Sequence, residues 1–272
     1  MAVKESPLWS PHEGDPEKET RSEVAGVTVL QFRRLSAEPG LVHAVFTRQG
    51  GVSDRPYHSL NTSYSTGDHP ERVTQNIEII REAMAARELV FMNQAHGKSI
   101  LVLSRCSPSP KAGPDRRADA MITDRPHTAL MVKQADCQGV ILYEPSRRVV
   151  ALVHCGWRGN TLNILGSVVA RMESDFGCRA GRMLAAVGPS LGPCCGEFRS
   201  YRQIFPKSFT SFMVRESYFD LWRISRWQLL EAGLEEENIA VAGICTRCRT
   251  DLFFSYRAEG LTGRFATAVM LT

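Results

Sequence analysis

The chain has 272 residues, of which 43% are hydrophobic, and its formal net charge is +4. This fits one large globular domain or two small ones. No apolar run is long enough to cross a bilayer, and the first residues lack the apolar core of a secretion signal, so a cytoplasmic protein without membrane attachment is expected. The basic excess forms no Lys/Arg block with interleaved aromatics, which favours a small anionic ligand over nucleic acid.

In chain order, residues 1–26 are charged, contain three prolines and lack periodicity, which predicts a mobile tail. Apolar runs bounded by turn signals then alternate with segments of helical periodicity. Strands are predicted at 27–32, 41–46, 99–103, 118–123, 128–133, 140–144, 149–153, 183–187 and 265–271. Helices are predicted at about 70–88, 161–176, 197–205 and 220–232.

One predicted hairpin brings a cysteine and a histidine together. The turn at 145–148 separates two apolar runs, and symmetrical pairing about 145–146 places Cys137 opposite His154. Cβ atoms of such a pair lie about 5 Å apart. The pair indicates two ligands of one metal, a nucleophile with its base, or a buried thiol beside a packed imidazole. His96, beside a glycine at a predicted strand edge, could supply a third ligand.

Arginines near turns are the candidates for an anion pocket. Arg48 precedes a Gly-Gly turn, and Arg264 lies in the loop before the last strand, with Arg257 in reserve. Arg158 lies just outside the second predicted helix, whose unpaired first-turn amides suit an anion and which Asn160 or the next threonine can cap. The guanidinium fork matches phosphate oxygens and stays charged, although a structural role for each arginine is equally open.

The cysteines do not follow the spacing of a disulfide framework. In a cytosolic chain, thiols more often indicate metal binding or catalysis. Cys245 and Cys248 form a lone Cys-x-x-Cys, which together with Cys194 and Cys195 could form a structural zinc site. Nothing in the sequence places these two pairs side by side.

A series of ordered motifs resembles one known family. The motifs are Arg48 with Gly50-Gly51-Val52-Ser53, Ser59-Leu60-Asn61, Gln94 with His96-Gly97, Ala118-Asp119-Ala120, Ala135-Asp136-Cys137, His154 with Gly156-Trp157-Arg158-Gly159, Gly188-Pro189, Cys245-Thr246, Phe254-Ser255-Tyr256-Arg257 and Thr262-Gly263-Arg264. From about residue 27 to the C-terminus they resemble the YfiH/YlmD family, bacterial relatives of the human laccase-domain-containing purine enzyme. The resemblance implies an α+β fold of mixed β-sheets flanked by helices, YfiH-like and cysteine-hydrolase-like, in a single catalytic domain at 27–272.

The resemblance also implies a zinc site with ligands His96, Cys137 and His154, the last two being the catalytic residues. It implies a purine-nucleoside enzyme that phosphorolyses adenosine, inosine, guanosine and methylthioadenosine and that deaminates adenosine. Two imidazoles and a thiolate leave a fourth position open, as in catalytic zinc sites, where a bound water has a pKa of about 7 and suits attack on adenine C6. Phosphate would bind Arg48, Arg158 and Arg264. The general acid is not identified; Asp119 and Asp136 are candidates, and either could equally be a cap or turn residue.

Two positions depart from the family pattern. Gln138-Gly139 replaces a usual proline, and Cys155 replaces a usual alanine and adds a thiol beside the site. With seven histidines and no His-x-His pair, the chain lacks the ligands of a multicopper laccase. The alternative function is a thiol hydrolase in which Cys137 is the nucleophile and His154 the base, acting on a peptidoglycan precursor, as the peptidoglycan-editing name of some relatives suggests. A non-catalytic zinc protein is a further alternative.

Overall fold

The computed structural model describes residues 19–24, 26–106 and 117–272. The strands are β1 (Glu19–Val24), β2 (Val27–Phe32), β3 (Leu41–Phe46), β4 (Glu88–Phe91), β5 (Ile100–Leu103), β6 (Ala120–Thr123), β7 (Thr128–Gln134), β8 (Gln138–Glu144), β9 (Val149–Cys155), β10 (Leu184–Val187), β11 (Met213–Arg215), β12 (Tyr218–Phe219), β13 (Ile239–Val241) and β14 (Phe265–Leu271). The α-helices are α1 (Arg33–Ser36), α2 (Pro70–Ala83), α3 (Trp157–Thr161), α4 (Ile164–Phe176), α5 (Tyr201–Ile204), α6 (Leu221–Glu231) and α7 (Tyr256–Glu259). Among these described residues, no helix combines the length and apolarity that a membrane span requires.

Two mixed six-stranded sheets form the centre of the molecule. The first has the order β1-β2-β3-β14-β7-β4 and the second the order β13-β10-β8-β9-β6-β5. Most neighbours are antiparallel, whereas β4 and β7, β5 and β6, and β10 and β13 are parallel pairs. This architecture confirms the prediction of mixed sheets flanked by helices.

The sheets pack face to face and helices cover their outer faces. Along β8, Ile141 and Tyr143 face the core between the sheets, whereas Val140 and Leu142 belong to the core beneath α4 and α6. Helix α2 covers the first sheet. Because both faces of the central strands are buried, these strands read in the sequence as continuous apolar runs rather than as alternating patterns.

Several predicted boundaries were wrong. The tail predicted at 1–26 extends too far, because Glu19–Val24 pairs with β2 along its whole length; residues 1–18 and 25 lie outside the described residues. The helix predicted at 70–88 ends at Ala83, and the chain then forms β4. The helix predicted at 197–205 is helical only over α5. In these three segments the pattern of apolar residues was too weak to show where each strand or helix begins and ends.

The predicted hairpin forms, but its pairing is displaced by two residues. Gly139, not Cys137, lies opposite His154, because all of 145–148 is turn. Side chains alternate between faces along a strand, so a displacement of two residues keeps Cys137 on the same face as His154. The predicted pairing of Cys137 with His154 is therefore wrong, whereas the prediction that the two side chains lie close together is confirmed.

A buried histidine in β3 is expected to make stability pH-dependent. His43 is 1% exposed, and its Nε2 accepts a 2.8 Å hydrogen bond from the backbone N–H of Phe32. Burial lowers the pKa of His43 from 6.5 to about 4, so the unfolded chain binds a proton that the folded chain excludes between these values. We expect unfolding free energy to decrease by about 3 kcal/mol as pH falls through that window.

Denaturant titrations between pH 7 and pH 4 test this expectation. His43→Gln keeps an acceptor for the amide but cannot titrate, so this part of the slope should disappear. His69→Gln, at an exposed histidine, is the matched control and should keep it. An unchanged slope in His43→Gln would contradict the assignment.

Candidate metal centre

The three predicted ligands come from separate segments that meet at one edge of the second sheet. His154 lies near the end of β9, Cys137 immediately precedes β8, and His96 lies in the loop before β5. Their ligand atoms all lie within 4.8 Å of one another. The structure thus assembles the three residues into a group that could hold a metal ion.

Cys137 reaches the imidazoles across a glycine. A Cβ atom on Gly156 would lie 2.7 Å from Cys137 Sγ and 3.6 Å from His96 Cδ2. The first separation is too short for any real contact, so a side chain at this position would displace the sulfur. Gly156 therefore provides the space that the sulfur occupies beside His154.

Asp119 orients two of the three predicted ligands. Its Oδ1 is 2.9 Å from His154 Nδ1, which leaves Nε2 of that ring to face a metal. The carboxylate also accepts the backbone N–H groups of Ala95, His96 and Gly97, at 3.2, 2.9 and 2.7 Å. These bonds hold the loop in which His96 has a φ of +56°, a conformation that non-glycine residues seldom adopt.

Charges and hydrogen bonds shift the pKa values of the site when no metal is bound. Burial raises the pKa of Asp119, but the hydrogen bonds from His154 and from the amides outweigh burial and lower it overall. Burial likewise raises the pKa of the Cys137 thiol, yet the charge and hydrogen bonds of both histidines lower it to about 6. Burial lowers the pKa of His154, but Cys137 and Asp119 outweigh burial and raise it to about 9. Asp119 is therefore an ionised orienting group, and a metal ion that binds Cys137 and His154 would displace the proton of the imidazole.

The chemistry of these donors fits a zinc ion. Two imidazoles and one thiolate match the nitrogen and sulfur donors of three-ligand catalytic zinc sites. The buried Asp119–His154 bond is the outer hydrogen bond that such sites use to fix the ring. His96 is exposed, so the group opens toward solvent on one side.

The three ligands lie in the wall of a cavity of about 490 Å³. This is the size of a small-molecule site. Beyond the ligands, the cavity has cationic and aromatic side chains: Lys133, Arg257 and Arg264, with Trp157, Phe198 and Tyr256. A ligand with an anionic part and a flat apolar part fits this lining.

The structure places only one of the three predicted anion-binding arginines in this cavity. Arg264 lines it, with a pKa lowered by burial. Arg48 lies in a separate cavity, 2.9 Å from Glu259 Oε1, and Arg158 is exposed on α3 above the ring of Trp157. The predicted placement of Arg48 and Arg158 in one anion pocket is therefore contradicted.

The helix end that supported Arg158 also differs from the prediction. Helix α4 begins at Ile164, and its cap is Asn163, whose Oδ1 accepts the N–H of Gly166. The predicted cap Asn160 is buried, where its side-chain nitrogen bonds Ser225 Oγ at 2.8 Å. Asn163 has a φ of +51°, and this left-handed residue separates α3 from α4.

The structure gives the surroundings of Asp136 and Cys155. Asp136 accepts hydrogen bonds from Thr246 Oγ1, Ser255 Oγ and the amide of Arg257, so it connects loops at the edge of the cavity. Cys155 is fully buried in the core beneath α4, on the opposite face of β9 from His154, and burial raises its pKa. The thiol of Cys155 therefore faces the core and not the candidate metal centre, which differs from the prediction.

Lys133 is a cationic cavity residue that was not predicted from the sequence. It lies near the end of β7, its Nζ is 5.0 Å from the centre of the Phe91 ring, and burial lowers its pKa to about 8. A single lysine near the end of an otherwise apolar, buried strand was the available signal.

Comparisons with known proteins agree with this description. The family model described as multi-copper polyphenol oxidoreductase laccase matches residues 42–272. A protein of Bacteroides thetaiotaomicron named purine nucleoside phosphorylase is 30% identical over 259 residues, which cover 89% of this chain and 96% of that protein. Purine nucleoside phosphorylase YfiH of Escherichia coli K12 is 33% identical over 243 residues, with coverages of 85% and 94%. The crystal structure of YlmD from Geobacillus stearothermophilus aligns with a TM-score of 0.82 at 28% identity, covering 94% of this chain and 99% of that one.

The two-sheet fold and the His-Cys-His group define a protein with a candidate metal centre in the wall of a ligand-sized cavity. The chain belongs to the multi-copper polyphenol oxidoreductase laccase family, and YfiH and YlmD are its similar relatives. The resemblance inferred from its motifs is thereby confirmed.

Proposed function

We propose that this protein is a zinc-dependent purine nucleoside phosphorylase with an additional adenosine deaminase activity. The observation that carries the proposal is the joint placement of His96, Cys137 and His154 in one cavity with Lys133 and Arg264. Relatives named purine nucleoside phosphorylase support the substrate class.

Phosphorolysis requires that phosphate attack the anomeric carbon of the ribose while the bond to the purine breaks. Lys133 and Arg264 are the side chains we assign to phosphate. Arg264 Nη1 donates to the carbonyls of Thr262 and Gly263 at 3.0 and 2.8 Å, which fixes the direction of its guanidinium. A cation fixed in this way loses little conformational freedom when an anion binds.

The base is assigned to the aromatic side of the cavity. Trp157, Phe198 and Tyr256 line it, and flat heterocycles stack well on such rings. Adenosine, inosine, guanosine and methylthioadenosine share the purine ring, and the residues that line the cavity do not distinguish among their other substituents. All four are therefore proposed substrates.

Zinc bound to His96, Cys137 and His154 would supply Lewis acidity and an acidified water, which is the chemistry that deamination at adenine C6 needs. The chain's own part is to hold the ligand ring of His154 through Asp119 and to position the purine. The family description names copper chemistry, but among the described residues neither candidate ligand group contains more than two histidines. That ligand supply argues against a multicopper oxidase.

A thiol hydrolase remains the second candidate, because Cys137, His154 and Asp119 form a hydrogen-bonded series. In a hydrolase of this kind the thiolate attacks a substrate carbonyl and the imidazolium protonates the leaving group. His96 argues for metal binding instead, because a second imidazole beside the sulfur has no task in that mechanism.

The charge of Lys133 gives a pH prediction. Its pKa of about 8 means that the ammonium loses its proton as pH rises through that value. We expect the KM for phosphate to increase above pH 8 in the wild type. Lys133→Arg should abolish this increase, and Lys133→Ala should raise KM about 10- to 100-fold at pH 7, the range for a hydrogen bond to a charged group. A KM that is independent of pH between 7 and 9 would contradict the role of Lys133.

Product analysis tests the function itself. Protein of known zinc content is incubated with adenosine, with and without phosphate. Adenine and ribose-1-phosphate should form only with phosphate, and inosine should form in either case. If zinc is bound and adenosine stays intact in both reactions, the nucleoside proposal is wrong. Metal-free protein in which Cys137 is rapidly alkylated would favour the thiol hydrolase.

A further inference from the structure

Four cysteine side chains converge at a second place in the described part of the chain. Cys194, Cys195, Cys245 and Cys248 have sulfur atoms that all lie within 4.8 Å of one another. They belong neither to the cavity lining nor to the His96, Cys137 and His154 group. We propose that these four cysteines form a structural zinc site, independent of the proposed catalytic centre.

The sulfur separations match a tetrahedral ion. With zinc–sulfur bonds of about 2.3 Å, the edges of a tetrahedron are about 3.8 Å long. The sulfur of Cys248 is 3.7 Å from that of Cys194 and 3.6 Å from that of Cys195. Disulfide sulfurs are about 2.05 Å apart, and all four thiols are free. A polynuclear iron–sulfur cluster would hold sulfurs on different irons farther apart.

The fold brings the two cysteine pairs together without a metal. One pair follows β10 and the other follows β13, which are parallel neighbours, so both loops leave the same end of the sheet. Their pairing continues beyond the strands, where Ser190 N donates to Ile244 O at 3.1 Å and Thr246 N donates to Ser190 O at 3.0 Å. The pairing of β10 with β13 brings the two cysteine pairs together, and the sequence alone did not show this pairing.

Two polar groups lie beside the sulfur atoms. The amide of Gly192 is 3.3 Å from Cys245 Sγ, and the guanidinium of Arg247 lies close enough to Cys195 for an electrostatic interaction. When zinc binds, the thiols release their protons to solvent, and the four-thiolate complex carries a net charge that Arg247 partly offsets.

A metal ion at the four cysteines would connect the two loops that form one wall of the cavity. The loop after β10 carries Leu191 and Phe198, both of which line the cavity. In the loop after β13, Thr246 Oγ1 donates to Asp136 Oδ1 at 2.8 Å, directly beside Cys137. A zinc ion between these loops would hold the aromatic wall and Asp136 in a constant arrangement, without contacting the substrate.

Metal analysis of four proteins tests this inference without any activity measurement. The wild type should bind two zinc equivalents, whereas Cys137→Ala and Cys248→Ser should each bind one. Cys106→Ser removes an exposed thiol outside both groups and should keep two. X-ray absorption at the zinc edge of Cys137→Ala should then show four sulfur neighbours at about 2.3 Å and no nitrogen.

Because Cys248→Ser could fail to fold, the measurement on Cys137→Ala decides the matter by itself. Cys137→Ala protein that holds no zinc, or zinc with nitrogen neighbours, overturns the proposal. A disulfide among the four cysteines in freshly purified protein, shown by mass spectrometry, also overturns it. These results do not depend on whether the protein cleaves nucleosides, so the two proposals fail separately.

Discussion

Asp119→Asn is expected to weaken zinc binding about 10- to 100-fold, the usual effect of removing the outer partner of a ligating histidine. One oxygen of Asp119 accepts bonds from His154 and the amide of His96, and the other accepts the amides of Ala95 and Gly97. Asparagine in either orientation sets its NH₂ group against two N–H donors. The free energy of unfolding should also decrease, by about 1–3 kcal/mol, because buried donors lose their acceptor.

Zinc affinity measured by competition with a chelator checks this expectation, with turnover measured on the same samples. Asp124→Asn is the matched control, since Asp124 accepts the amide of Arg105 nearer the surface and has no contact with the ligands. If Asp119→Asn binds zinc as tightly as Asp124→Asn does, Asp119 does not orient the site.

Gly156→Ala should reduce turnover about 100-fold while leaving the fold intact. The new methyl group would lie 2.7 Å from Cys137 Sγ, which can escape by rotating about its side-chain bond. That rotation requires little energy but removes a ligand atom from its place, and a displacement of about 1 Å can reduce a rate by about 100-fold. The thermal unfolding temperature should therefore change little, in contrast to Asp119→Asn.

Gly97→Ala controls for the mere addition of a methyl group next to a ligand. A Cβ atom there would lie 3.6 Å from Asp119 Oδ2, an ordinary contact, and position 97 has no positive φ. Turnover and zinc content should stay near the wild-type values. Equal losses in Gly97→Ala and Gly156→Ala would mean that crowding of Cys137 is not the cause.

The proximity of Cys137 and His154 could be predicted from sequence because strand periodicity keeps them on one face of the sheet. The predicted hairpin pairing was displaced by two residues, and a displacement of two leaves Cys137 and His154 on one side of the sheet. A displacement of one residue would have separated them. His96 was a candidate ligand because it lies beside a glycine at a predicted strand edge, and the motif resemblance then implied it. Its loop is held by a long-range bond to Asp119, which local patterns do not contain.

The cationic side of the cavity could not be predicted in the same way. Arg48 follows a strand and precedes glycines, as an anion-binding residue can, but Glu259, far away in sequence, pairs with it. Lys133 lies in a largely apolar run without any turn motif. It reaches the cavity wall at the point where the chain passes from β7 in the first sheet to β8 in the second. Such partners depend on tertiary packing, which local patterns do not contain.

If zinc held by His96, Cys137 and His154 supplies Lewis acidity to both proposed reactions, the loss of Cys137 abolishes phosphorolysis as well as deamination. The most direct test compares phosphate-dependent release of hypoxanthine from inosine by the wild type and by Cys137→Ala, with zinc content and folding measured on each sample. We expect release by the wild type and none above background in folded Cys137→Ala that lacks zinc at this site. Undiminished, phosphate-dependent release by Cys137→Ala would contradict it.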